Sequence, residues 1–96
     1  MNERLGRETT LADDGAHVWR FWISKYRGIL KAVVWEYNRE GDSLTHALFQ
    51  GWTWSTQVPC NRATEKAVNT FEAFALPQAK AAVEARKALI SGTVAA

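Results

Sequence analysis

The chain has 96 residues, is 47% hydrophobic and 23% charged, and carries a formal net charge of +2. That length fits one domain with a single modest core, and the composition excludes an intrinsically disordered chain. The charge surplus is too small for a dedicated duplex-DNA binder. No apolar run approaches the ~20 residues that span a bilayer. Cys60, the only cysteine, excludes an intrachain disulfide and a thiolate zinc cluster.

Residues 1–16 hold two basic and four acidic residues, a net −2. They are polar and lack sustained periodicity, so they read as a flexible N-terminal arm with Leu11 tucked in. The first fifteen, MNERLGRETTLADDG, contain no apolar stretch of a secretory signal, and a cytoplasmic, intracellular setting is expected. Residues 17–92 read as the folded domain, and 93–96 as a C-terminal tail.

From His17 the pattern has a period of two: Trp19, Phe21 and Ile23 alternate with Val18, Arg20, Trp22 and Ser24, the signature of a strand. Arg27-Gly28 marks a turn. Ile29 to Tyr37 is rich in β-branched and aromatic residues and predicts a second strand. Asn38 to Ser43 is a polar stretch with Gly41 free to take positive φ, read as a six-residue loop. Leu44 to Ser55 predicts a third strand, bent or bulged at Gly51, with room for a fourth short one.

Beyond Pro59 the period becomes helical, through Ala63, Ala67, Val68, Phe71, Phe74 and Ala75, with Asn61 as the expected N-cap. Pro77 is unwelcome inside a helix but suits a first turn, so the helix should end near Phe74 and a second begin at Pro77. That second helix is rich in strong helix formers and stops at Gly92. Its Ala79, Ala82, Val83, Arg86, Leu89 and Ile90 stripe is expected to make core contacts. The fold predicted is α+β: a three-stranded antiparallel meander, or a four-stranded one, followed by two C-terminal helices packed on one sheet face.

Closing the first hairpin at Arg27-Gly28 pairs Tyr26 with Ile29, Trp22 with Val33 and Arg20 with Trp35. With the loop at Asn38–Ser43, Tyr37 then faces Leu44, and Trp35 faces His46. The sheet acquires two apolar faces. Face one holds Trp19, Phe21, Ile23, Leu30, Ala32, Val34, Ala47 and Phe49. Face two holds Arg20, Trp22, Tyr26, Lys31, Val33, Trp35, Tyr37, Leu48, Trp52 and Trp54. Two helices can cover only one face, and little chain remains for the other. Face one is expected under the helices, and face two is expected to be the working surface, because a contiguous exposed aromatic patch usually marks an interaction site. The opposite assignment, with the tryptophans as core, stays open at this stage.

Catalytic chemistry finds little support. His17, His46 and Cys60 have no metal-ligand spacing and no orienting partner, so no metal or nucleophile site is expected. Asp13, Asp14, Glu36, Glu40 and Asp42 read as solvating charges. Gly41 and Gly51 match no phosphate-binding loop, and no cofactor is implied. A strand region followed by an alanine-rich helix with Lys80 lacks the first helix and the basic cluster of a double-stranded-RNA-binding domain. The aromatic motifs of cold-shock and RRM domains are absent.

The function expected is therefore non-enzymatic binding. Arg20, Trp22, Tyr26, Lys31, Trp35, Tyr37, Trp52 and Trp54 are the candidate partner-binding residues, since Trp, Tyr and Arg dominate protein hot spots. The partner expected is a larger protein or protein complex, one that handles nucleic acid included. By analogy of size and style, the type is a phage inhibitor of a host nucleic-acid machine, anti-CRISPR-like or nuclease-inhibitor-like. Two alternatives use the same face: a single-stranded nucleic-acid-binding module, stacking bases on indoles beside cations, and a homodimer that buries two tryptophan faces against each other.

Overall fold

In the computed structural model, which describes residues 3–48 and 52–92, five antiparallel strands precede one helix. The strands are β1 (Glu3–Asp13), β2 (His17–Tyr26), β3 (Ile29–Glu40), β4 (Ser43–His46) and β5 (Trp52–Pro59), and the helix is α1 (Glu65–Ser91). The sheet runs β1-β2-β3, with β4 and β5 both on the far edge of β3. Phe49 and Gly51, which the sequence placed on face one and at a bend, lie outside the described residues.

The β2–β3 hairpin pairs as its alternation predicts, from Tyr26↔Ile29 through Trp22↔Val33 to His17↔Asn38. Its two turn residues, Arg27 and Gly28, both have positive φ, 37° and 78°. That matches the primed turns whose twist suits a tight hairpin.

Three expectations are corrected. Residues 3–13 of the expected arm form β1, paired along β2. The pairing shifts between Arg4 and Glu8 and again between Thr10 and Ala12, and such shifts erase the period-two pattern that betrays a strand. Covering the β2 edge satisfies backbone groups that would otherwise lie open beside a buried strand. Next, the six-residue loop is a two-residue turn at Gly41-Asp42, with Gly41 at φ 63°. β3 thus continues to Glu40, and Tyr37 pairs with His46 rather than Leu44. Asp13, beside the β1–β2 turn, holds an ion pair with Arg39.

The third correction concerns the helices: one continuous helix replaces two. Thr64, not Asn61, caps it, its hydroxyl accepting from the Ala67 amide at 3.1 Å. Pro77 sits inside, where it deprives the Ala73 carbonyl of its usual donor. The buried stripe Val68, Phe71, Ala75, Ala79 and Val83 crosses Pro77 without a break in spacing. Packing of that whole line on the sheet outweighs the ~3 kcal/mol that an interior proline costs. Nearby, the Gln78 side-chain amide donates to the Phe74 carbonyl at 3.2 Å. Gly92, at φ 76°, ends the helix in the left-handed region.

The core lies between α1 and face one. Trp19, Phe21, Ile23, Leu30, Ala32 and Val34 meet the helix stripe. At the margin of this core is a carboxylate that the sequence analysis took for a solvating charge. Glu36 is 1% exposed. Its Oε1 accepts from Trp19 Nε1 (2.9 Å), Thr53 Oγ1 (3.1 Å) and Arg86 Nε (2.7 Å), and its Oε2 accepts from a terminal guanidinium nitrogen of Arg86 (3.0 Å). Burial pushes the Glu36 pKa up. The hydrogen bonds from Arg86, Trp19 and Thr53, with the Arg86 charge, outweigh burial and hold it below the ordinary value.

The sign of the pH dependence follows. A depressed carboxylate stabilises the fold above its unfolded pKa of about 4.3, and that contribution is lost as pH falls through the folded value. Arg86→Met leaves the carboxylate buried and unpaired, where burial alone raises its pKa. The variant is expected to lose about 3 kcal/mol at pH 7. Urea denaturation across pH 7 to 4 should show the gap to wild type narrowing as Glu36 protonates. A gap independent of pH would show that the pair is not what holds the helix end.

Candidate binding face

On face two, the alternating side chains of β2 and β3 build an aromatic stack. Trp22 lies against Trp35 with ring centroids 5.4 Å apart and planes 17° from parallel. His46 stacks on Trp35 at 4.9 Å, and Trp52 meets Trp35 edge-on at 6.2 Å and 83°. Tyr37 flanks His46 at 5.3 Å. Cations lie over the rings: Lys31 Nζ is 5.4 Å from the Trp52 ring, the Arg20 guanidinium 5.6 Å from Tyr37, and that of Arg27 5.6 Å from Tyr26. Each distance falls within the range of a cation–π contact. Arg20 also reaches Glu8 of β1 at 3.4 Å.

The candidates divide three ways. Tyr26 (37% exposed) and Trp52 (38%) present rings to solvent, with Arg20, Lys31 and Tyr37 half-buried around them. Trp35 is half-buried inside the stack, whereas Trp22 is only 7% exposed and is covered within the chain by its neighbours. Trp54 is not on this face at all. The β3–β5 pairing runs Val34↔Trp54 and then Trp35↔Trp52, so Thr53 is an extra residue. Trp54 follows Thr56 and Val58 onto face one, against the core, and the bulge turns Trp52 to face two. The sequence pattern allows for an irregularity at Gly51 but not for one at Thr53. The sequence pattern sets His46 opposite Trp35 and gives it no chemical role. Its place in the stack comes from pairing opposite Tyr37.

The chain matches no protein-family model, no curated protein and no solved structure. What the faces can do chemically must therefore come from the geometry. Among the described residues, no group of three His, Cys, Asp or Glu side chains is placed to hold a metal, and no helix is long and apolar enough to cross a membrane. His46 stacks on face two, while Cys60 lines an apolar groove of about 590 Å³ between β5 and α1, so no Cys–His pair forms. The Cys60 thiol donates to the Arg62 carbonyl at 3.2 Å. Asp14 works locally: its Oδ1 accepts from the Ala16 and His17 amides at 2.9 and 2.6 Å, fixing the β1–β2 turn. Burial pushes its pKa up, but those bonds and the His17 ring lower it overall.

The Trp35 Nε1 is buried without a hydrogen-bond partner, a state that costs about 1–3 kcal/mol. Stacking and apolar contact hold the indole there despite its unsatisfied donor. Trp35→Phe keeps a ring against Trp22 and deletes the orphan donor, so thermal and urea unfolding should place it within ~1 kcal/mol of wild type. Trp35→Ala should lose about 3–5 kcal/mol. Equal losses for the two variants would mean that the N–H contributes a bond.

Proposed function

We propose that this protein is a non-enzymatic binding module that docks face two on a larger protein and modulates it. The supporting observation is the asymmetry of the sheet. α1 packs on face one, and no other described element covers the opposite face, where Tyr26 and Trp52 stand exposed beside Lys31, Arg20 and Tyr37. Rigid aromatic side chains with basic neighbours supply contact area at low entropic cost. The stack beneath them holds those rings in place, so little ordering remains to be done on binding.

Lys31 carries the charge side of the reading. It lies over Trp52 and, among the described residues, forms no ion pair, so its ammonium is open to a carboxylate on the partner. A partner presenting acidic groups beside an apolar patch fits this surface. An inhibitor or adaptor of a nucleic-acid-processing complex is the class we propose, on the basic, aromatic character of the face.

Trp52→Ala and Lys31→Glu test it together. Both side chains are partly exposed, so melting temperatures should stay within a few degrees of wild type. Nuclease-treated affinity capture should lose the same partner with both variants, and affinity for the purified partner should fall on the order of tenfold or more. Unchanged partner binding by two folded variants would sink the proposal. Tryptophan quenching by a single-stranded oligonucleotide that weakens as salt rises, with no protein partner retained, would replace it with nucleic-acid binding.

A further inference from the structure

Among the described residues β5 is an edge strand, and its pairing with β3 fixes which side is free. The Cys60 amide donates to the Gly28 carbonyl at 2.7 Å, in register with Ile29↔Pro59. Along an antiparallel ladder, hydrogen-bonded pairs alternate, so Trp54, Thr56 and Val58 spend their backbone groups on β3. Ser55 and Gln57 therefore point theirs away from the sheet. Pro59 agrees: its missing N–H falls on the outward side, where an edge strand tolerates proline.

Between Trp54 and Val58 this edge lacks the usual protection, the Thr53 bulge and Pro59 lying only at its two ends. Natural edges are kept apart by charges, bulges or short length. The opposite edge, β1, is charged (ERLGRETTLAD) and twice shifted in register, whereas β5 (WTWSTQVP) has no ionisable residue and pairs evenly from Trp54 to Val58. Beside it, on face one, runs the apolar groove lined by Val58, Pro59, Cys60 and Phe71, with Phe74 at its rim and 53% exposed. A knob next to a hole on one surface is what a two-fold contact needs.

We propose that two copies of this chain join antiparallel through their β5 edges, making one continuous sheet. Centring the two-fold on Thr56 sets Ser55 opposite Gln57 of the second copy, with the outward N–H and C=O groups of both bonded. The same register puts Trp54 against Val58 and Thr56 against Thr56 on face one, aromatic–β-branched and Thr–Thr pairs that stabilise sheets. No like charges meet. A second copy is favoured over a foreign strand because the strand carries no charge to repel its own copy and is complementary to itself in side-chain pairs and in the adjoining knob and groove. The axis is normal to the sheet, so both aromatic faces end on the same side. The dimer does not depend on the docking role of those faces.

Sedimentation equilibrium over a concentration series should show the mass rising from 10.8 kDa toward twice that value. Gln57→Pro removes an outward N–H that has no acceptor among the described residues, so it should keep the circular dichroism of wild type and remain at the single-chain mass. Thr56→Cys in a Cys60→Ser background should cross-link two copies under mild oxidation, since that pair sits on the two-fold, and this readout stands even if Gln57→Pro fails to fold. A single-chain mass at every concentration would overturn the proposal and leave the edge to a strand of another protein. A dimer that fails to cross-link through Thr56→Cys would overturn it too, by placing the contact elsewhere, such as on the aromatic face.

Discussion

Glu36 is the buried charge around which the molecule is arranged. A lone carboxylate at this depth would be expelled or protonated. Three elements besides its own converge to keep it ionised: β2 through the Trp19 indole, β5 through the Thr53 hydroxyl and α1 through the Arg86 guanidinium. The Arg86 contact is bidentate, the geometry that gives an ion pair direction as well as strength. It pins the C-terminal half of a helix whose middle is weakened by Pro77.

The same carboxylate is tied to the division of the tryptophans. For Thr53 to reach Glu36, β5 must bulge there, and the bulge reverses the facing of everything before it. Trp54, after the bulge, keeps the core side in step with Thr56 and Val58, and Trp52, before it, is turned to the aromatic stack. Without the extra residue the two indoles would share a face. A polar interaction at the core margin thus decides which aromatic groups are available to solvent on the opposite side.

Face two occupies a middle state between core and surface. The Trp22 and Trp35 rings cover each other with His46 stacked on the outside, and the basic side chains of Arg20 and Lys31 lie across neighbouring rings. Such a layer needs no second helix to be stable in water, and it still offers Tyr26 and Trp52 at its surface. The stack acts as a foundation for the exposed rings. The open β5 edge lies between this face and the apolar groove on the other, so the least satisfied parts of the molecule adjoin one another.

Local rules of the sequence determined the central hairpin. The period-two pattern of β2 and β3 and the Arg27-Gly28 turn specify its register, and with it the opposite facing of Trp19 and Trp22. They also made the aromatic and basic composition of face two legible, because every β2 and β3 member follows from alternation alone. The tertiary structure decided what depends on distant partners. β1 emerges from a polar segment because β2 needed its edge paired, and its bulges hide it from any test of periodicity. α1 continues through Pro77 because five buried side chains hold it to the sheet, a gain invisible to helix propensity. The burial of Glu36 required Arg86, fifty residues away, and the facing of Trp52 required the bulge at Thr53. Alternation and turn chemistry act between neighbours and can be read in order, whereas burial, ion pairing and bulge position are settled only when strands and helix meet.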